Sequence, residues 1–194
     1  TDNHTMGHPP QTGKALRFGF LLLPHASMAD FAAASEVLAH ANLLAEKRLY
    51  ETLLLSLDGG QVQLSNGVKL GVDLPLSYAP KLDYLLILAD EIGNEFALEE
   101  LSKGIAACNT DKLTLGGIGC GSYWLARAGL LAGQRATIHW REISRLTEEF
   151  PDVIVTSNLY ESEGRYLSCA GGAATFDFML DLVGKQQGHE FIAQ

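Results

Sequence analysis

The sequence predicts an α/β domain: a parallel sheet sandwiched by helices, with a small β-hairpin insertion. Three observations carry that expectation. Short, continuously apolar runs (LRFGFLLLP, YETLLLSL, DYLLILA) have the length and two-faced hydrophobicity of buried parallel strands. Between several of them lie Ala-rich or amphipathic stretches of helical length. The segment QVQLSNGVKLGVD instead alternates around Asn66-Gly67, the pattern of a hairpin. Apolar strands alternating with helices close into one sheet with helices on both faces.

Residues 1–14 (TDNHTMGHPPQTGK) are polar with a Pro pair, and read as a flexible lead-in before a domain over 15–194. The absence of a leading methionine suits a piece of a longer chain. His4 and His8 are four apart, a metal-ligand spacing on a helix, but the adjacent prolines oppose that helix and no metal site is expected. The first strand ends at Pro24, and Ser27 is placed to cap a helix over Met28 to Lys47. YETLLLSL is the second strand, the hairpin follows, and DYLLILA is the third buried run. A helix is expected from about Glu95 to Cys108, then a fourth strand, KLTLGGIG, and a helix ending near Gly129. PDVIVTS and RYLSCAG are later strand candidates, and a closing helix runs from Ala173 to Lys185.

The 194 residues are 47% apolar, enough for one sizeable core. Fourteen basic against 23 acidic residues give a formal charge of -9. So acidic a surface repels phosphate backbones and makes the chain by itself a poor nucleic-acid binder. Three cysteines, Cys108, Cys120 and Cys169, with no C-x-x-C pair argue against a disulfide framework or zinc site and for a reducing compartment. No apolar run approaches the roughly 18–20 residues of a membrane span, and no signal peptide is evident. A cytoplasmic location follows as an expectation.

Open parallel sheets place ligands at the carboxyl ends of their strands. Four loops therefore matter: Pro24 to Asp30, Ala89 to Asn94, Ile118 to Ser122 and Cys169 to Ala174. The third lies within GGIGCGSYWLARAGLL, a small-residue turn between a strand and a helix with Cys120 at its centre. That is the appearance of a nucleophile elbow. A buried free cysteine is the plainer alternative.

The run GFLLLPHASMADFAAASEVLAHAN resembles the opening of ThiJ/PfpI-type, class I glutamine amidotransferase-like domains. GLLAGQRATIHWREISRLTEEFPDVIV and YLSCAGGAATFDFMLDLV resemble one branch of them, the sensory domains of AraC-family transcription regulators. The similarity covers most of Leu16 to Val183 and implies a flavodoxin-like fold, a small-molecule effector, a homodimer and no cofactor. DNA contact would fall to a C-terminal helix-turn-helix half, which GKQQGHEFIAQ does not supply. The enzymes of the superfamily carry V-C-T-G-[SA], with the cysteine ten residues before the glycine of a downstream Gly-Leu-Leu. Counting back from Gly129 lands on Gly119, and Cys120 takes the place of the threonine. Where the family's third strand ends in Gly-Gly, this chain has Ala89-Asp90 and then Glu91. A carboxylate there opposes an oxyanion and suits an ammonium or guanidinium group.

The resemblance also picks out Asp30, at the position of the acid that pairs with the enzymes' cysteine, and the pair His139-Trp140. Each has a plainer reading: a first-turn acid favoured by the helix dipole for Asp30, and a satisfied His with a Trp packed under the next helix. Asp90 and Glu91 are either solvated or cation-facing. Tyr123 and Trp124 belong to the core, or else supply an aromatic wall for a cation. Cys169-Ala170-Gly171-Gly172 is either tight packing or a turn whose N–H groups hold a carboxylate.

The expected ligand-binding set is Asp30, Asp90, Gly119, Cys120, His139, Trp140 and Gly171, with no catalytic or metal-binding residue. The expected function is a non-catalytic effector-binding domain sensing a small cationic or zwitterionic metabolite, such as an amino acid or betaine, as regulators of the resembled branch often do. The alternative is a cysteine-dependent hydratase or hydrolase using Cys120.

Overall fold

The structure, a computed structural model, describes residues 13–93 and 98–193. Most of the lead-in, with His4 and His8, lies outside the described residues, as does the expected helix start at Glu95. The strands are β1 (Leu16–Leu22), β2 (Tyr50–Ser56), β3 (Val62–Gln63), β4 (Lys69–Leu70), β5 (Leu74–Pro75), β6 (Tyr84–Ala89), β7 (Thr114–Gly119), β8 (Arg135–Ala136), β9 (Ile154–Val155), β10 (Tyr160–Glu161) and β11 (Tyr166–Cys169). The helices are α1 (Met28–Leu44), α2 (Leu98–Cys108), α3 (Gly121–Arg127), α4 (Ile143–Glu149), α5 (Ala173–Gln187) and α6 (His189–Ile192). Seven strands form one sheet in the order β10-β11-β7-β6-β1-β2-β5, parallel except for β10 at the edge. This is the mixed α/β, flavodoxin-like architecture that the sequence predicts.

Side chains alternate across the sheet with period two. Phe18, Phe20 and Leu22 of β1 join Leu86 and Leu88 of β6 in the core under α1 and α5. Leu21, Leu85 and Ile87 point the other way, into the core with Ile105 of α2 and Leu125 of α3. Both faces are covered, which is why the strands read as unbroken apolar runs. Helix α1 ends at Leu44, short of the expected Lys47. Its Asn42 explains the sharp return: the side-chain oxygen accepts the N–H groups of Leu49 and Tyr50 at 2.7 and 2.8 Å, while its nitrogen donates to the Tyr50 carbonyl at 2.9 Å.

The hairpin around Asn66-Gly67 exists as β3 and β4 joined by residues 64–68, with Gly67 at φ +83°. Its Val62 and Leu64 are buried in the α1/α5 core. PDVIVTS does not enter the main sheet: only Ile154 and Val155 are extended, and they pair in parallel with Arg135 and Ala136 in a separate ribbon. Too few of its residues are buried to make a central strand. No helix among the described residues is long and apolar enough to cross a membrane.

The chain leaves β1 toward β2 on one side and returns to β6 on the other, so strand order reverses between β1 and β6. Ligand crevices of open α/β sheets form at such a reversal. Leu22 pairs with Leu88, Leu88 with Ile118 and Ile118 with Cys169, and this register brings the loops after all four strands to one level.

Removing the Asn42 bridge by Asn42→Ala should lower stability by about 2 kcal/mol, because half-buried backbone groups lose their partners. An unchanged urea midpoint would show that water replaces them.

Candidate functional site

Ser27 caps α1, its hydroxyl accepting the Asp30 N–H at 3.3 Å. The Asp30 side chain, 5% exposed, turns away from its own helix end. Its Oδ1 accepts the Gly172 N–H at 2.7 Å and the Thr175 hydroxyl at 2.9 Å. Asp30 thus caps α5 from another helix. Among the described residues Oδ2 accepts no hydrogen bond, and it lies against the α-carbons of Gly119 and Gly171: a Cβ built on Gly171 would sit 2.9 Å from it. Burial pushes the carboxyl pKa up, the bonds from Thr175 and Gly172 oppose this, Asp90 adds to the rise and His139 opposes it.

The elbow is present, and glycine occupies its apex. Gly119 has φ +69°, while Cys120 has an ordinary φ of -90° and forms the cap of α3. A Cβ on Gly119 would meet the Ala89 carbonyl oxygen at 2.4 Å, so no side chain fits without moving backbone. Register explains the approach, since Ala89 pairs directly with Gly119. In an elbow the N–H after the apex is the usual oxyanion donor. Here that N–H belongs to Cys120 and donates to the Ala89 carbonyl at 2.7 Å. The Cys120 thiol is 1% exposed, donates to the Asp90 carbonyl at 3.4 Å, and has its pKa pushed up to about 12, mainly by burial and then by Glu142 and Asp90. Cys169 is similarly buried, its pKa pushed up to about 11. Neither thiol has the electropositive, partly exposed setting of a reactive cysteine.

His139 reaches the same place through its backbone, donating its N–H to the Gly119 carbonyl at 3.0 Å. Its ring is half-buried, with Nδ1 accepting the Arg141 N–H at 3.4 Å. Trp140 is 73% exposed, which removes the plainer reading of a Trp packed under the next helix. Its ring lies 5.6 Å from that of His139, and the Arg141 guanidinium stands 5.9 Å from the indole centre. Tyr123 and Trp124 are core residues, 1% and 4% exposed, and the Tyr123 hydroxyl donates to Glu149 at 2.6 Å. Asp90 is half-buried and Glu91 exposed.

The 169–172 turn does not offer two idle N–H groups. The Ala170 N–H donates to the Leu159 carbonyl at 2.8 Å, and that of Gly172 is held by Asp30. The carboxylate in this turn is internal.

Sequence reasoning passed over Thr175 and Thr137. Thr137 fastens the A-T-x-H-W segment over the elbow: its N–H donates to the Ser168 hydroxyl at 2.9 Å, and its carbonyl accepts the Ser122 hydroxyl at 2.7 Å. The available signal was the hydroxyl residue inside each quoted motif. Among the described residues no cluster of His, Cys, Asp and Glu is arranged to hold a metal.

Two outcomes follow from this geometry. Gly119→Cys should destabilise the fold by at least about 2 kcal/mol, through left-handed strain and the Ala89 contact; a variant as stable as the parent in denaturant titration would refute the packing. For Asp30, a raised folded-state pKa means that its stabilising contribution is complete below the unfolded pKa and is lost as pH rises through the folded one. Asp30→Asn, which keeps an acceptor oxygen, should therefore gain about 0.5–2 kcal/mol at neutral pH. That gain should vanish below about pH 4, where the parent's carboxyl is protonated. A thermal-melting series over pH reads both arms, and a loss of stability at neutral pH contradicts the argument.

No family model matches the sequence. The chain is 39% identical over 177 residues to the HTH-type transcriptional regulator CdhR of Pseudomonas aeruginosa, covering 91% of this chain and 52% of that protein. It is 31% identical over 176 residues to the HTH-type transcriptional regulator GlxA of Rhizobium meliloti, covering 90% and 54%. The chain thus spans about half the length of the curated relatives it matches. Among solved structures, a ThiJ/PfpI family protein from Pseudomonas syringae shares the fold at TM-score 0.75 and 17% identity, over 98% of this chain and 80% of that one. The crystal structure of an AraC family transcriptional regulator from Pseudomonas putida superposes with TM-score 0.83 at 30% identity, over 92% of this chain and 96% of that one. On that likeness, carried across nearly the full length of the solved relative, the chain belongs to the AraC family of transcriptional regulators.

Proposed function

We propose that this domain binds a small cationic or zwitterionic metabolite without chemically changing it, in the cleft edged by Asp30, Asp90, Gly119, Cys120, His139, Trp140 and Gly171. The observation that carries the reading is the buried Asp30 carboxylate, with one oxygen unbonded at an elbow whose apex is glycine. A buried acid with an open acceptor favours a cationic donor, and an anion beside it would leave the charge unpaired at a cost of several kcal/mol. Exposed Trp140 adds an aromatic face for an ammonium group. Because the N–H groups of Ala170 and Gly172 have internal acceptors, the carboxylate of a zwitterion would instead be met by Arg141, whose fork suits it.

The hydratase or hydrolase reading draws on the elbow itself. Against it stand a neutral, buried Cys120 thiol and an engaged Cys120 N–H. In the whole protein, DNA would be contacted by a helix-turn-helix half outside this sequence, in a cytoplasmic homodimer.

Calorimetry with arginine, carnitine and glycine betaine against anions of matched size tests the reading. Cations or zwitterions should bind, and Asp30→Asn or Asp90→Asn should weaken them about tenfold, as for loss of one charged hydrogen bond. Preference for the anions, or affinity unchanged in both variants, removes the acidic-cleft argument.

A further inference from the structure

Helix α1 turns a side to solvent that its composition does not suit. Its residues, MADFAAASEVLAHANLL, include only two groups able to carry charge besides the buried Asp30, namely Glu36 and His40. Other helices at the surface differ, with Glu99, Glu100 and Lys103 on α2 and Arg145, Glu148 and Glu149 on α4. One side of α1 packs into the core through Ala34, Val37, Leu38 and Ala41. The opposite side is exposed and still mostly apolar. A helix that is apolar all round is ordinarily a covered one.

That outer side is ordered. Ala29, Ala33, Glu36, His40 and Leu43 recur at alternating steps of four and three, the seven-residue repeat of a seam that meets another helix. All are exposed except the half-buried Ala33, and Leu43 is 73% exposed. Toward α5, Leu44 and Phe176 are 51% and 50% exposed. They wall an apolar groove of about 250 Å³ that Glu36 and His40 also border. Large apolar side chains exposed together mark an interaction surface.

Size and charge along the seam select its occupant. Small residues fill the first half and large ones the last, so two copies of α1 fit when they run antiparallel about a two-fold axis near Glu36. Leu43 then lies against the partner's Ala29, and His40 against the partner's Ala33. A patch that complements itself in this way is what a two-fold dimer requires. The chain carries a formal charge of -9, so two copies repel wherever their acids meet. The seam holds a single acid, Glu36, with His40 Nδ1 3.4 Å from its carboxylate.

We propose that the outer face of α1 takes a second copy of this chain, as an antiparallel α1–α1 pair with Leu44 and Phe176 at its margin. The inference rests on the homodimer of the preceding reading and not on its ligand. The alanines let the two helices approach closely, and each Leu43 is covered by the small-residue half of the other helix. The two Glu36 carboxylates fall nearest the axis, where their repulsion limits the affinity.

Sedimentation velocity of this chain over about 1–200 µM reads the association. The parent should dimerise. Leu43→Lys and Ala29→Glu each add a charge that suits its own end of the helix, so circular dichroism should show the fold kept. Each should weaken the dimer at least about thirtyfold, by burying an unpaired charge. The double variant sets each ammonium opposite a carboxylate and should recover at least about tenfold over either single variant. Glu36→Gln removes the repulsion at the axis and should tighten the dimer about three- to tenfold. Should a charged variant not fold, Leu43→Ala gives a milder test, with about three- to tenfold weakening. A parent that stays monomeric throughout refutes the homodimer and this interface together. A dimer untouched by the substitutions at Leu43 and Ala29 refutes this interface and leaves the homodimer standing. So does a double variant no tighter than the single ones, or a Glu36→Gln variant that associates more weakly than the parent.

Discussion

The Asp30 carboxylate, on the first turn of α1, accepts two hydrogen bonds from the start of α5, and the functional edge of the domain is organised around that contact. It joins two helices far apart in sequence across the ends of β1 and β11. It also brings Oδ2 against Gly119 and Gly171, where only α-carbons fit. A carboxylate so placed is a structural cap through one oxygen and an open acceptor through the other. The structural role of Asp30 thus rests on Oδ1, and the proposed ligand contact would fall to Oδ2.

The same economy of space accounts for the elbow. Strand β7 turns into α3 through a left-handed residue, as a nucleophile-bearing strand would, but the Ala89 carbonyl fills the place where a side chain would stand. That carbonyl also takes the N–H that would otherwise face a developing oxyanion. One peptide orientation thus excludes a side chain at the apex and engages the N–H next to it. Cys120, one residue on, points its thiol into the sheet end instead of the cleft floor, and burial keeps it neutral.

Much of the scaffold was legible because its signals are local. Strands β1, β2, β6 and β7 are apolar runs buried on both faces, and Asn66-Gly67 marks the hairpin through the left-handed glycine that its loop needs. What was missed depends on partners elsewhere. Two-residue strands such as β5, β8 and β10 have no periodicity to read and exist only through the strand they meet. Asn42 ends a helix by binding the next strand's backbone, which no helix-stop rule anticipates.

Sequence by itself determined the parallel sheet, the order of its main elements and the four loops at its carboxyl edge, because residue type and spacing along the chain specify each of these, while the family resemblance put glycine at the elbow apex. Only the tertiary structure decided which atoms remain available there. It occupied one oxygen of Asp30 and engaged the N–H groups of Cys120, Ala170 and Gly172. Hydrogen-bond satisfaction is a property of atoms brought together across long sequence separations, and residue type fixes only how many bonds each group can make.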